Sequence, residues 1–201
     1  MKWVIPKGYV KRQINLAGDT LIRDNVSQED IFKAIEVLDN WRAIHGYPMH
    51  VFKKRLREKA MNVDKNSLTV QRLKRVPAIK AKLKRSYNGK QPTMKLSQMQ
   101  DIGGCRTVLS NVTLARKLHQ EFIKGHIKHK KVGEKDYITN PKNDGYRSIH
   151  IIYRYFSDKR KKIYNNLLVE IQIRSRLQHL WATAIETVDF FTRQAIKSNE
   201  G

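Results

Sequence analysis

Residues 167–174 read Leu-Leu-Val-Glu-Ile-Gln-Ile-Arg. Successive strand side chains point to opposite faces, so Leu167, Val169, Ile171 and Ile173 form one apolar face while Glu170, Gln172 and Arg174 share the other. An acid inside so apolar a strand is not there for propensity, and buried acids need a partner. Ser175 then opens a long final helix carrying Leu177, Trp181, Ile185 and Val188.

Working outward, Ser148 to Phe156 alternates as a second strand, and strand signals dominate from Ile127 to Ile173. Asp101-Ile-Gly-Gly-Cys-Arg-Thr-Val-Leu reads as a strand entered through two glycines, after which Thr113 caps a helix with Leu114, Leu118 and Phe122. Upstream the period changes to that of a helix. Ser27 and Asp30 form a capping-box start for Ile31, Ile35, Leu38, Trp41 and Ile44, stopped by Gly46 and Pro48. A second helix starts at Pro48, with Met49, Phe52, Leu56 and Ala60 on one side, and a third runs from Pro77 towards Tyr87 and an Asn88-Gly89 turn. The expected fold is α+β, a mixed β-sheet flanked by helices, with a helical N-terminal region over 1–69 and a core over 70–201 ending in a long helix.

The chain has 201 residues, 40% of them hydrophobic, enough for one ordinary core, and 41 Lys and Arg against 18 Asp and Glu leave a formal charge of +23. Such a surface seeks polyanions, and charge alone does not choose among nucleotides, RNA, DNA and anionic lipid. No apolar run approaches the roughly 20 residues that span a bilayer, so no membrane partner is expected. One cysteine, Cys105, excludes an internal disulfide and a Cys-based zinc site, which fits a reducing cytoplasm.

Three groups of residues carry chemistry. The segment from Arg72 to Lys95 holds nine basic residues and no acid, among them Arg72, Lys74, Lys80 and Lys82. A solvated helix face is the plain explanation, whereas a triphosphate is the natural occupant if the charges converge. Asp101 and Glu170 are the carboxylates that could hold magnesium, which takes one or two carboxylates together with substrate phosphates; Asp101 could instead be a turn cap. In Asn143-Asp-Gly-Tyr-Arg-Ser-Ile-His150, Tyr146 stands at a turn exit, as a stacking surface for a base or as a cross-strand tyrosine. Ser148 and His150 share a strand face and could bond a substrate or each other.

These blocks resemble the synthetase domain of RelA/SpoT homologs, which make guanosine tetra- and pentaphosphate alarmones. The resemblance spans roughly Val70 to Val188. It rests on Arg72-Leu-Lys74 with Lys80 and Lys82, Asp101-Ile-Gly-Gly-Cys-Arg106, Lys135-Asp-Tyr leading through Pro141 into Gly145-Tyr-Arg-Ser-Ile-His150, and Val169-Glu-Ile-Gln-Ile-Arg174. It implies a nucleotidyltransferase-like RelA/SpoT synthetase fold and a pyrophosphokinase that moves the β,γ-pyrophosphate of ATP to a ribose 3′-hydroxyl. It further implies that Arg72, Lys74, Lys80, Lys82 and Arg106 bind ATP and that Asp101 binds Mg2+. Glu170 would be second metal ligand or base, and Tyr146, His150, Gln172 and Arg174 would form the acceptor pocket. Ala78 stands where the family commonly has Ser, and Gly-Glu precedes Lys135 where many bifunctional members carry an Arg-containing pattern, which bears on nucleotide preference.

The segment Trp41-Arg-Ala-Ile-His-Gly-Tyr-Pro48 resembles the toxic and phage-defence subgroup of small synthetases, some of which resemble enzymes that pyrophosphorylate the 3′ end of tRNA. A large positive charge suits tRNA, which rewards an extended basic surface where a mononucleotide needs only a local pocket. Lys128, Lys130 and Lys131 with Lys159, Arg160, Lys161 and Lys162 are the expected RNA contacts, unless both runs are solvated hairpin ends. A toxin of this kind would have a neutralising antitoxin protein or domain as partner. The other acceptors are GDP, GTP or adenosine nucleotides, for an alarmone synthetase. A non-enzymatic basic RNA-binding protein accounts for the charge but leaves Glu170 unexplained. None of the seven histidines is followed by Asp, which argues against the family's hydrolase domain.

Overall fold

The computed structural model describes residues 2–86, 92–159 and 161–192. The expected Asn88-Gly89 turn, Arg160 and the last residues of the chain lie outside them. Among the described residues six α-helices and five strands follow one another as α1 (Lys11–Thr20), α2 (Gln28–Ala43), α3 (Gly46–Val63), β1 (Leu68–Leu73), α4 (Val76–Lys84), β2 (Gly103–Leu109), α5 (Val112–Lys124), β3 (Lys130–Asp136), β4 (Ile149–Arg154), β5 (Leu168–Ser175) and α6 (Arg176–Thr192). The strands form one mixed sheet in the order β1-β2-β5-β4-β3. Only β2 and β5 run parallel, with Gly104 beside Glu170 and Arg106 beside Gln172, while the other neighbours are antiparallel.

The two faces of the sheet have different fates. Ile149, Ile151 and Tyr153 of β4 and Val169, Ile171 and Ile173 of β5 join Cys105 and Leu109 of β2 on the covered face. Met49, Phe52, Leu56 and Ala60 of α3 and Ala115, Leu118 and Phe122 of α5 complete that core. Gly103 lets α3 come close, since a Cβ there would lie 3.0 Å from both His45 Cβ and Met49 Cγ. The registers put Arg72, Gly104 and Glu170 in one row of the opposite face, and Arg106, Gln172, His150 and Lys135 in the next.

A second core joins the N-terminal helices to the edge of this face. Ile14, Ala17 and Leu21 of the first helix and its exit, with Ala34 and Leu38 of α2, pack around Ile79 and Leu83 of α4 and around Leu96, Met99 and Ile102. Helix α4 is thereby fixed beside the open end of β2, with Lys82 turned away from its own buried stripe.

Several local expectations change. Helix α1 and strand β1 were not anticipated, and β1 begins at Leu68, within the expected N-terminal region. Asn111 rather than Thr113 caps α5, because Asn111 has the extended conformation of a cap and its Oδ1 accepts from Leu114 N at 2.9 Å. Ser175 does open α6, exchanging hydrogen bonds with Gln178. Yet among the residues of α6 whose burial is described, Gln178 and Ala182 are buried, while Leu177, Leu180 and Trp181 are exposed.

Candidate active site

Asp101 leaves the turn before β2 and is gripped by two lysines, with Lys74 Nζ 2.8 Å from Oδ2 and Lys82 Nζ 2.9 Å from Oδ1. Burial alone would push its carboxyl up; Lys74 and Lys82 outweigh that and hold it below the usual carboxylate range. On the neighbouring parallel pair, Glu170 points from β5 with each oxygen held. His150 Nδ1 lies 2.9 Å from Oε1, and Gln172 Nε2 donates to Oε2 at 2.6 Å. Burial again works to raise this carboxyl, and the bonds from His150 and Gln172 prevail and keep it low. Asp101 is near enough to act on Glu170 as a like charge.

Both carboxylates line one cleft together with Arg72, Lys74, Gly104, Arg106 and Gln172. Gly104, beside Glu170 in the parallel register, places no side chain on its floor. Lys82 reaches this cavity through Asp101, whereas Lys80 lies on α4 outside its wall. Arg106 is pulled down to about 10, first by burial and then by the charges of Arg174 and Arg72. Three guanidiniums crowded this way form a ready anion site.

Beyond Gln172 the cluster continues on the same face. Arg174 is 2% exposed, lies over the Tyr146 ring at 4.8 Å from its centroid, and bonds the Tyr146 hydroxyl and Gln172 Oε1. The Tyr146 hydroxyl is also 2.7 Å from His150 Nε2. Tyr146 is therefore buried, with one part of its ring surface taken by Arg174, and less of it faces solvent than a stacking platform suggests. Ser148 and His150 do not bond each other: the Ser148 hydroxyl donates to Ile173 O and accepts from Arg174 Nε.

Other residues near this cluster escaped the sequence reading. Tyr137 meets Tyr146 and His150 edge-on at 5.8 and 5.3 Å, and Lys142 Nζ lies 5.3 Å from the Tyr137 ring centre. Trp181 of α6 lies beside Gly145, whose φ of 75° favours glycine. His179 feels Arg106 and Arg174, which add to burial in lowering its pKa. Tyr137 ends the Lys135-Asp-Tyr stretch that precedes Tyr146 in the sequence, and that was the one available signal.

The lysine runs lie at the far edge of the sheet. Lys128 pairs with Asp158 at 3.1 Å and Lys131 with Glu134 at 2.8 Å. Lys130 pairs in register with Arg154 on the side of Glu170, and Lys161 lies over the Tyr47 ring. Lys159 is exposed, and Lys162 opens a short 3-10 turn.

Among the described residues no cluster of three or more His, Cys, Asp or Glu could hold a metal by itself. The two carboxylates in one cavity fit Mg2+ nonetheless, because that ion commonly takes one or two carboxylates and completes its shell with phosphates and water. No helix among the described residues is long and apolar enough to cross a membrane.

Known proteins share the fold. GTP pyrophosphokinase YjbM of Bacillus subtilis is 30% identical over 120 residues, which are 58% of this chain and 54% of YjbM, so the match spans about half the length of that relative. In structure, small alarmone synthetase 1 from Bacillus subtilis superposes with a TM-score of 0.65 at 24% identity, covering 79% of this chain and 82% of the other. A GTP pyrophosphokinase family protein from Streptococcus pneumoniae gives 0.61 at 24% identity, covering 82% and 78%. The family described as "Region found in RelA / SpoT proteins" matches residues 71–190, a stretch that holds every cavity-lining group named above, and the chain belongs to the RelA/SpoT family.

Proposed function

We propose that the chain is a pyrophosphokinase that transfers the β,γ-pyrophosphate of ATP to a ribose 3′-hydroxyl. The observation that carries this is the meeting of Asp101 and Glu170 in one cavity walled by Arg72, Lys74 and Arg106. Phosphoryl chemistry of this type is mostly positioning and charge stabilisation. Arg72, Lys74 and Arg106 hold the phosphates, and Lys82, with Lys80 behind it on α4, adds charge from the helix. Asp101 and Glu170 would hold Mg2+, which when bound neutralises phosphate oxygens. Glu170 also faces the acceptor side, where a carboxylate takes the hydroxyl proton during attack. Tyr146, His150 and Arg174 form the acceptor wall.

The acceptor we favour is the 3′ end of tRNA, giving a product that blocks translation in the cytoplasm and calls for a neutralising protein partner. A formal charge of +23, with Lys130 and Arg154 on the side of the sheet that carries Glu170, supports a polyanion. A guanosine nucleotide is the second reading. It is supported by the name of YjbM and by the structure of small alarmone synthetase 1 bound to its product pppGpp, TM-score 0.65 at 22% identity over 80% of this chain and 83% of that one.

Incubation with Mg2+, ATP labelled on its terminal phosphate, and GTP, GDP, ATP or bulk tRNA tests both levels. Acceptor-dependent AMP release is expected, with label on tRNA. Label on a nucleotide replaces the favoured acceptor by the second, and absence of AMP with every acceptor overturns the reaction.

A further inference from the structure

The side-chain amide of Gln172 stands between the arginines and Glu170. Its Oε1 accepts from Arg106 Nε at 3.0 Å and from Arg174 Nη2 at 2.9 Å, while Nε2 donates to Glu170 Oε2 at 2.6 Å. Neither end can be exchanged. Guanidiniums only donate and an ionised carboxylate only accepts, so the oxygen must face the arginines and the nitrogen must face Glu170. The strand supplies the spacing, because Glu170, Gln172 and Arg174 share one face, and the parallel register puts Arg106 beside Gln172.

We infer that Gln172 is a positioning residue, which acts by fixing the Glu170 carboxylate instead of serving chiefly as a contact of the acceptor. With His150 Nδ1 on Oε1 and Gln172 on Oε2, rotation of that carboxylate about its terminal bond breaks at least one bond. Two of the three polar contacts of Gln172 tie its own amide in place through charged donors, so the third is held in a set direction. Among side chains of similar length in their usual neutral-pH state, an amide alone can accept from two arginines and donate to a carboxylate at once, because an ionised Glu has no donor and Lys and Arg have no acceptor.

This inference rests on the proposed pyrophosphate transfer, and two variants test it. Gln172→Glu keeps acceptors for Arg106 and Arg174 but turns a like charge on Glu170, so kcat should fall about 10- to 100-fold, as for groups that orient a catalytic ligand, with both KM values close to wild type. Gln172→Met adds no charge and covers the case in which the extra carboxylate lowers the melting temperature; it too should lose kcat while melting near wild type. A rise in acceptor KM at unchanged kcat in either variant overturns the positioning role while leaving the transfer reaction standing. A wild-type protein that releases no AMP with any acceptor overturns both.

Discussion

His150 on β4 and Glu170 on β5 are joined side chain to side chain, Nδ1 to Oε1 at 2.9 Å, although Ile152 and not His150 is the register partner of Glu170. The bond runs diagonally across the strand pair. Its other end is secured by the Tyr146 hydroxyl, 2.7 Å from Nε2, so the imidazole is held from both sides with Nδ1 available to donate to the carboxylate.

Glu170→Gln should therefore abolish transfer without unfolding the protein. The substitution keeps shape and removes the charge that takes the proton and faces the metal, and losses of general-base function run to about 10²- to 10⁴-fold. AMP release measured beside a thermal melt checks this. Turnover at the wild-type rate would take Glu170 out of the reaction.

Lys82→Met should raise the apparent requirement for ATP more than that for the acceptor. Lys82 reaches Asp101 Oδ1 from α4, on the side of the cavity away from Tyr146. A hydrogen bond to a charged group is worth about 1.5–3 kcal/mol, which is roughly a 10- to 150-fold change in KM for ATP. Steady-state kinetics with each substrate varied in turn separates the two. A change confined to the acceptor would move the basic segment to the acceptor side.

How much of this was legible follows from the kind of signal each part leaves. Strand alternation put Glu170, Gln172 and Arg174 on one face, and the apolar stripe of α3 was readable because Met49, Phe52, Leu56 and Ala60 keep helical spacing. The meeting of Asp101 with Glu170 was not, since it depends on the parallel pairing of β2 with β5, which spacing along one chain does not encode. Helix α1 buries Ile14, Ala17 and Gly18, and two small residues make a faint apolar stripe. The exposed Leu177 and Trp181 misled in the other direction, because Gln178 and Ala182 are the ones buried among the described side chains of α6. At the start of α5 both Asn111 and Thr113 are good caps by type, and only backbone geometry decides between them.

Stability should fall in acid partly through Asp136. Burial works to raise its carboxyl, yet the Arg116 guanidinium, the Thr139 hydroxyl and the backbone amides of Thr139 and Ile138 bring it down to about 2. A carboxyl lowered on folding adds stability above its unfolded value near 3.8, and that stability is lost as pH drops from about 4 through about 2. Asp136→Asn should lower the melting temperature at neutral pH and flatten its decline over that window. Melts of both proteins between pH 2 and 7 test it, and parallel curves would show that Asp136 gains nothing on folding.

The choice of acceptor turns on two signals of different reach, the buried cluster at Tyr146 and the basic edge at Lys130. Tyr146→Ala removes a ring that Arg174 and His150 lean on as well as any base contact, so it should impair transfer to either acceptor, by about 1 to 3 kcal/mol for the lost stacking of one base. Lys130 and Arg154 act only on something that extends along the sheet. Lys128 and Lys131 already have Asp158 and Glu134 as partners, which makes Lys130→Ala with Arg154→Ala the cleaner pair to change. With tRNA as acceptor the double substitution should weaken its use and flatten the salt dependence, because each lost phosphate contact removes its share of counterion release. With GTP or GDP the same change should leave KM and kcat near wild type, since a mononucleotide seated at Tyr146 does not reach that edge. Transfer rates to each acceptor at 50 and 200 mM salt decide the matter. Efficient labelling of guanosine nucleotides beside unlabelled tRNA at the lower salt would assign the chain to nucleotide acceptors.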